Sequence, residues 1–172
     1  PVTIQIEAKD DVIPDPAGLR FVQPLPWTAP HFADLEAEIH SVFANDGIIS
    51  PGDVKGRSPS LAEAVHRGRW PTLDEARGQV MFVLDDQGAK RDAYRAQVPD
   101  VDDRLIFVDV PPSDPDAAVT VVNDPIGDAA RIRDLVAQGF IVRTRADADT
   151  VEARSGDTSR LVGFDGVRAV VH

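Results

Sequence analysis

Not one of the 172 residues is cysteine. Disulfide staples, zinc–thiolate sites and cysteine nucleophiles are therefore excluded, while the redox compartment stays open. No apolar run approaches the roughly 20 residues needed to span a bilayer. Positive charge is also short: 18 Lys and Arg face 29 Asp and Glu, for a net charge of −11. Without clustered Lys and Arg there is no nucleic-acid footprint, and purely electrostatic docking on an anionic membrane is disfavoured. A charged leader with an apolar core is missing at Pro1, which is followed at once by strand-like sequence. The expectation is a chain that starts in mid-domain or from which a signal has been removed. What remains, 42% hydrophobic and 27% charged residues, is the composition of a soluble globular chain. Its length suits one domain over residues 1–172.

Val2, Ile4 and Ile6 alternate with Thr3, Gln5, Glu7 and Lys9, the period of a strand. The spacing of Phe32, Leu35, Ile39, Val42 and Phe43 predicts a helix over 30–44. Residues 48–53 read as a loop, Ser60 as the cap of a short helix through Val65, and Thr72 with Glu75 as a capping box closed by Gly78. Strands are expected over 80–85, 105–110, 118–123, 140–145 and 167–171, with helices over 90–97 and 124–138. In the last helix Ile126, Ala129, Ile132, Leu135 and Val136 would face the core, and Gly139 would cap its end. Strands separated by helices and long connections predict an α/β fold with mostly parallel strands.

Four of these strands end in polar or charged residues: Glu7 and Lys9, Asp85, Asn123 and Asp124, and Arg143 and Arg145. In a barrel of parallel strands, the carboxyl ends form the active-site face. The competing explanation is that strands end where the chain meets water.

Two segments sharpen the choice. Pro1-Val2-Thr3-Ile4-Gln5-Ile6-Glu7 resembles the P-V-x-I-x-x-E strand that supplies a calcium-binding glutamate in phosphoinositide phospholipases C. Gly139-Phe140-Ile141-Val142-Arg143-Thr144-Arg145-Ala146-Asp147 resembles the G-F-x-V-R-T-R-A-D run of the bacterial calcium-dependent members. Ile49–Val54, Trp70–Leu73 and Arg77-Gly78 recur between them in the family's order. Two departures stand out: strands carrying the family's two catalytic histidines would precede Pro1, and the end lacks the usual Thr-Asp-Tyr.

The resemblance implies an α/β fold of the partial TIM (β/α) barrel type, as in PLC-like phosphodiesterases, with its first strands missing. It implies calcium-dependent cleavage of phosphatidylinositol, in which one histidine activates the inositol 2-hydroxyl and another protonates the leaving oxygen. The chain would be a truncated form, active or inactive. A glycerophosphodiester phosphodiesterase on the same fold and a non-catalytic calcium- or phosphate-binding remnant are the alternatives. Glu7 is the implied calcium ligand, with Asp85 a further candidate, since calcium takes roughly 6–8 oxygens. Lys9, Arg143 and Arg145 are the candidates for substrate phosphate. The plain alternatives are a Glu7–Lys9 surface pair and an ion-pair network of the arginines with Asp85, Asp109 or Asp147.

His31, His40 and His66 fall outside strand ends, and His172 alone could close the last strand at the site face. Trp27 and Trp70 read as packing anchors that could also touch lipid. Expected partners are a phosphoinositide or glycerophosphodiester substrate, a membrane surface met transiently, no nucleic acid, and a second copy recruited through unpaired strand edges. The intact family member is expected to be secreted.

Overall fold

The computed structural model describes residues 1–145, 151–157 and 169–171. The described residues form six strands, separated by helices except between the third and fourth: β1 (Val2–Ile6), β2 (Val80–Leu84), β3 (Ile106–Val108), β4 (Val119–Val121), β5 (Ile141–Thr144) and β6 (Ala169–Val171). They form two three-stranded parallel sheets, β1-β2-β3 and β4-β5-β6. A parallel bridge between Asp109 and Val119 joins the two. Spatial order therefore follows sequence order.

The joined sheet is curved. Gln5 on β1 and Arg143 on β5 share a hydrogen bond of 3.0 Å, although a flat sheet would separate those strands by four spacings of about 4.8 Å each. Only an arc brings the two side chains together.

Helices α1 (Ala29–Val42), α2 (Pro51–Lys55), α3 (Leu61–His66), α4 (Ala89–Gln97), α5 (Ala129–Ala137) and α6 (Val151–Ser155) lie in the other connections. Phe32 and Ile39 of α1, Tyr94 of α4, and Ile132 and Leu135 of α5 are buried against Phe82, Leu84, Phe107 and Val142 of the strands. Tyr94 is fully buried, and its hydroxyl donates to Glu36 Oε1 at 2.6 Å and accepts from the Ile106 backbone at 3.1 Å. Burial and the Glu36 charge push its phenol well above the ordinary range.

The expected helices and strands are present, with ends shifted: most are shorter, while α3 runs on to His66 and α4 starts at Ala89. Residues 51–55 are helical rather than loop, because Ser50 accepts from the Asp53 backbone while Asp53 accepts in return, with Pro51 in the first turn. Val42 and Ile126 are exposed rather than core-facing: Val42 is the last residue of α1, and Ile126 lies in the turn before α5 begins. Thr72 and Glu75 make their capping box around a turn.

Gly139 takes φ 97° after α5, and a Cβ there would stand 2.1 Å from the Val65 carbonyl oxygen. The same glycine's carbonyl accepts from the Trp70 indole at 2.8 Å, and that indole ring packs on Phe107. Gly139 thus caps α5 and lets α3 approach closely.

Among the described residues β1 pairs only with β2, and Val2 and Ile4 on it are exposed. No described helix is long and apolar enough to cross a membrane.

Candidate functional site at the carboxyl ends of the strands

Parallel strands place their last side chains at one end of the sheet, and here they converge. Gln5 from β1, Asp85 from the end of β2, Asn123 from the end of β4 and Arg143 from β5 form one network. Arg143, 8% exposed, donates from Nε to Gln5 Oε1 at 3.0 Å and from Nη1 to Asn123 Oδ1 at 2.6 Å. Its Nη2 lies 3.9 Å from Asp85 Oδ2, and Gln5 in turn donates from Nε2 to that same oxygen. The Gln5 amide therefore ties a cation to an anion, offering its oxygen to one and its nitrogen to the other.

Asp109, at the end of β3, is buried beside this network. It accepts from the Val121 backbone at 3.2 Å and from Gln87 Nε2 at 2.6 Å, so it spans the seam between the two sheets. Burial pushes the Asp85 carboxyl above its ordinary value. Arg143 and the Gln5 hydrogen bond pull it down, while Glu7 and Asp109 push it further up. The net upward direction means that an ionised Asp85 is under-compensated by the chain's own cations.

Glu7 is exposed just beyond β1 and pairs with Lys9 at 2.5 Å. Its hydrogen bond and charge raise the Lys9 ammonium above the ordinary range. Arg143 and Arg145 differ sharply. Arg143 is buried and already held by Gln5 and Asn123, whereas Arg145, one residue past β5, is exposed, with no hydrogen bond or ion pair among the described residues. Ala146 and Asp147 of the motif, and His172, lie outside the described residues.

The remaining histidines stand elsewhere. His31 accepts from the Thr28 backbone at the start of α1, His40 is exposed on α1, and His66 packs edge-on against Phe140. Trp27 packs on Phe32. A groove of about 570 Å³ beside Ile49 and Trp70 is lined also by Gln79, at the amino end of β2, away from the cluster.

Gln5 and Asn123 are the cluster members that residue chemistry alone did not single out. Neither is charged, and only their strand-end position marks them.

The family model of calcium-dependent phosphoinositide phospholipase C matches residues 1–164. The chain belongs to this family. The phospholipase C fold recurs in a solved Ca2+-dependent phosphatidylinositol-specific phospholipase C enzyme from Streptomyces antibioticus, with a TM-score of 0.65 and 16% sequence identity. The match covers 98% of this chain and 62% of the Streptomyces one, so this phospholipase C family member spans less than two thirds of that enzyme's length. No curated protein matches the sequence.

Calcium dependence is a property of the phospholipase C family, and the donor chemistry here can be tested against it. Glu7 and Asp85 offer hard carboxylate oxygens, and the raised Asp85 carboxyl is what a nearby cation would relieve. Yet no group of three His, Cys, Asp or Glu able to hold a metal occurs among the described residues. These residues fit calcium as two contributors to a larger oxygen set.

Proposed function

We propose that this chain forms the cation- and phosphoryl-holding part of a calcium-dependent phosphoinositide phospholipase C, on an incomplete (β/α) barrel of one domain over residues 1–172. The observation that supports this reading is the convergence of Gln5, Asp85, Asn123 and Arg143 at the carboxyl end of a curved parallel sheet. Function sits at that end in parallel barrels.

In this reading Asp85 and Glu7 would hold calcium, which would supply positive charge to the phosphoryl oxygens of a phosphatidylinositol. Gln5 keeps Asp85 and Arg143 oriented. Arg143 is a positioning residue, because its guanidinium is already committed to Gln5 and Asn123. Arg145, exposed and unpaired among the described residues, is the cation free to meet phosphate, and Lys9, paired with Glu7 in this structure, is the second candidate.

A second reading is a non-catalytic calcium- or phosphate-binding remnant. It is favoured by the histidines, because His31, His40 and His66 all stand away from the cluster, and the reaction needs a general base and a general acid. Exposed β1 backbone and the apolar Val2 and Ile4 beside it also support pairing with a second copy of the chain.

Inositol phosphate release from phosphatidylinositol, measured with calcium and with excess chelator on one folded preparation, separates the readings. Calcium-dependent turnover supports the enzyme. Calcium-dependent binding of inositol phosphate without turnover supports the remnant, and neither by a folded sample defeats both.

A further inference from the structure

The ladder between β1 and β2 stops short of the residues that matter to the site. Its last rung is the Asp85 backbone donating to the Ile6 carbonyl at 2.7 Å. Glu7 and Lys9 lie past that rung, exposed and paired with each other. Between them sits Ala8, which is completely buried. A buried peptide unit needs partners for both its N–H and its carbonyl, and the ladder no longer supplies them.

The turn from β2 into α4 supplies them from side chains. The Ala8 N–H donates to Asp86 Oδ2 at 2.6 Å, and the Ala8 carbonyl accepts from Lys90 Nζ. Lys90 lies in the first turn of α4, and its ammonium stands 3.6 Å from Asp86 Oδ1. It also reaches Asp10 at 2.6 Å. Asp10 in turn accepts from the Trp27 backbone at 3.0 Å, which ties down the far side of the segment. One ammonium, with three N–H donors, thus faces a carbonyl and two carboxylates.

The same turn also reaches the other neighbour of β2. Gln87 and Arg91 bond Asp109 at the end of β3, whereas Asp86 and Lys90 are the arm toward β1. That arm fixes Ala8 through both of its polar groups. Glu7 and Lys9 are each one peptide, about 3.8 Å between Cα atoms, away from the fixed point.

We propose that Lys90 is a positioning residue, which holds Glu7 within reach of a cation at Asp85 by fixing the Ala8 peptide. This rests on the reading of Glu7 and Asp85 as calcium-holding carboxylates. Lys90 bonds to neither of them. Without it Asp10 and Asp86 lose the ammonium between them, and the Ala8 carbonyl loses its donor. Glu7 would then sit on a loose strand end, and the cost of ordering it would oppose binding of the ion. Outer partners that orient metal ligands are worth roughly 10–100-fold in affinity.

The test is calorimetric titration of the 172-residue chain with calcium chloride, without substrate, at a temperature where melting curves show every variant folded. Lys90→Met is expected to weaken binding about tenfold or more. Lys90→Gln, made alongside in case the apolar methionine disturbs the fold, is expected to do the same. Lys90→Arg keeps the charge and the donors and should restore most of the affinity. Lys55→Met is the control for stability alone, since Lys55 is similarly part-buried and pairs with Asp102 at 2.8 Å, before β3 begins. It should lower the melting temperature and leave calcium affinity unchanged.

Parent-like affinity in both Lys90→Met and Lys90→Gln overturns the proposal while leaving the calcium reading intact. An equal loss in Lys55→Met overturns it as well, because stability alone would then explain the effect. So does tighter binding by Lys90→Met, since Asp10 and Asp86 would be taking up the ion themselves. A parent chain that binds no calcium defeats the reading of Glu7 and Asp85, and the role of Lys90 with it.

Discussion

Arg143 and Gln5 stand 138 positions apart and meet in a hydrogen bond of 3.0 Å, the guanidinium Nε donating to the amide oxygen. The contact spans the arc from β5 to β1, and its two partners complete each other's hydrogen bonding near Asp85. Gln5→Ala leaves a buried guanidinium donor unmatched, for a loss of about 2 kcal/mol. Thermal unfolding should show a melting temperature lower by about 4–8 °C for a chain of this length. An unchanged midpoint would mean that the arc closes without this contact.

The two arginines at the end of β5 are expected to separate in their effects. Arg143→Ala removes a buried tie to Gln5 and Asn123 and should lower the melting temperature. Arg145→Ala removes an exposed side chain and should leave stability unchanged while weakening inositol phosphate binding about tenfold or more. Calorimetric titration and thermal melts on both variants check this. The reverse pattern would make Arg143 the phosphate contact.

Asp85 gives the site its pH signature. Its carboxyl is raised on folding, chiefly by burial, so the native state binds that proton more tightly than the unfolded chain. The associated stability is complete below the ordinary carboxylate value of about 3.9 and is lost as pH rises through the raised folded value. Asp85→Asn should therefore melt higher than the parent at neutral pH without calcium, with the gap closing on acidification. It should also lose any calcium-induced rise in melting temperature. A variant less stable than the parent at neutral pH would contradict the under-compensated charge at this position.

Gly139→Ala is expected to be severe. The position needs φ 97°, and a methyl group there meets the Val65 carbonyl oxygen at 2.1 Å. Backbone strain and displacement of α3 together should cost about 3 kcal/mol. Denaturant unfolding of the variant measures it directly, and a loss below about 1 kcal/mol would show that the α3 junction yields.

Much of this architecture was legible in the chain. The period-2 pattern of residues 2–9 and the apolar runs at 80–85 and 140–145 marked strands, and the polar residues at their ends marked the face where the cluster forms. Periodicity overreached at Val42 and Ile126 because it is blind to where a helix stops. It passed over α2 because five residues make too little pattern, although Ser50, Pro51 and Asp53 encoded its start. The difference in burial between Arg143 and Arg145 was not legible at all. Equal spacing put them on one face, but burial of the first depends on the neutral amides of Gln5 and Asn123, supplied by distant strands.

Strand order equal to chain order also sets a timetable. Each strand pair here joins nearest neighbours along the chain, and every pair but β1–β2, which matches Val2 with Val80, can close over a modest loop as it leaves the ribosome. The Gln5–Arg143 contact is different, for it waits until β5 has been synthesised. Until then a nascent chain carries Gln5, Asp85 and Asp109 without the guanidinium that partly balances them. The acidic half of the cluster is made first, and its basic counterpart arrives last to draw the arc together.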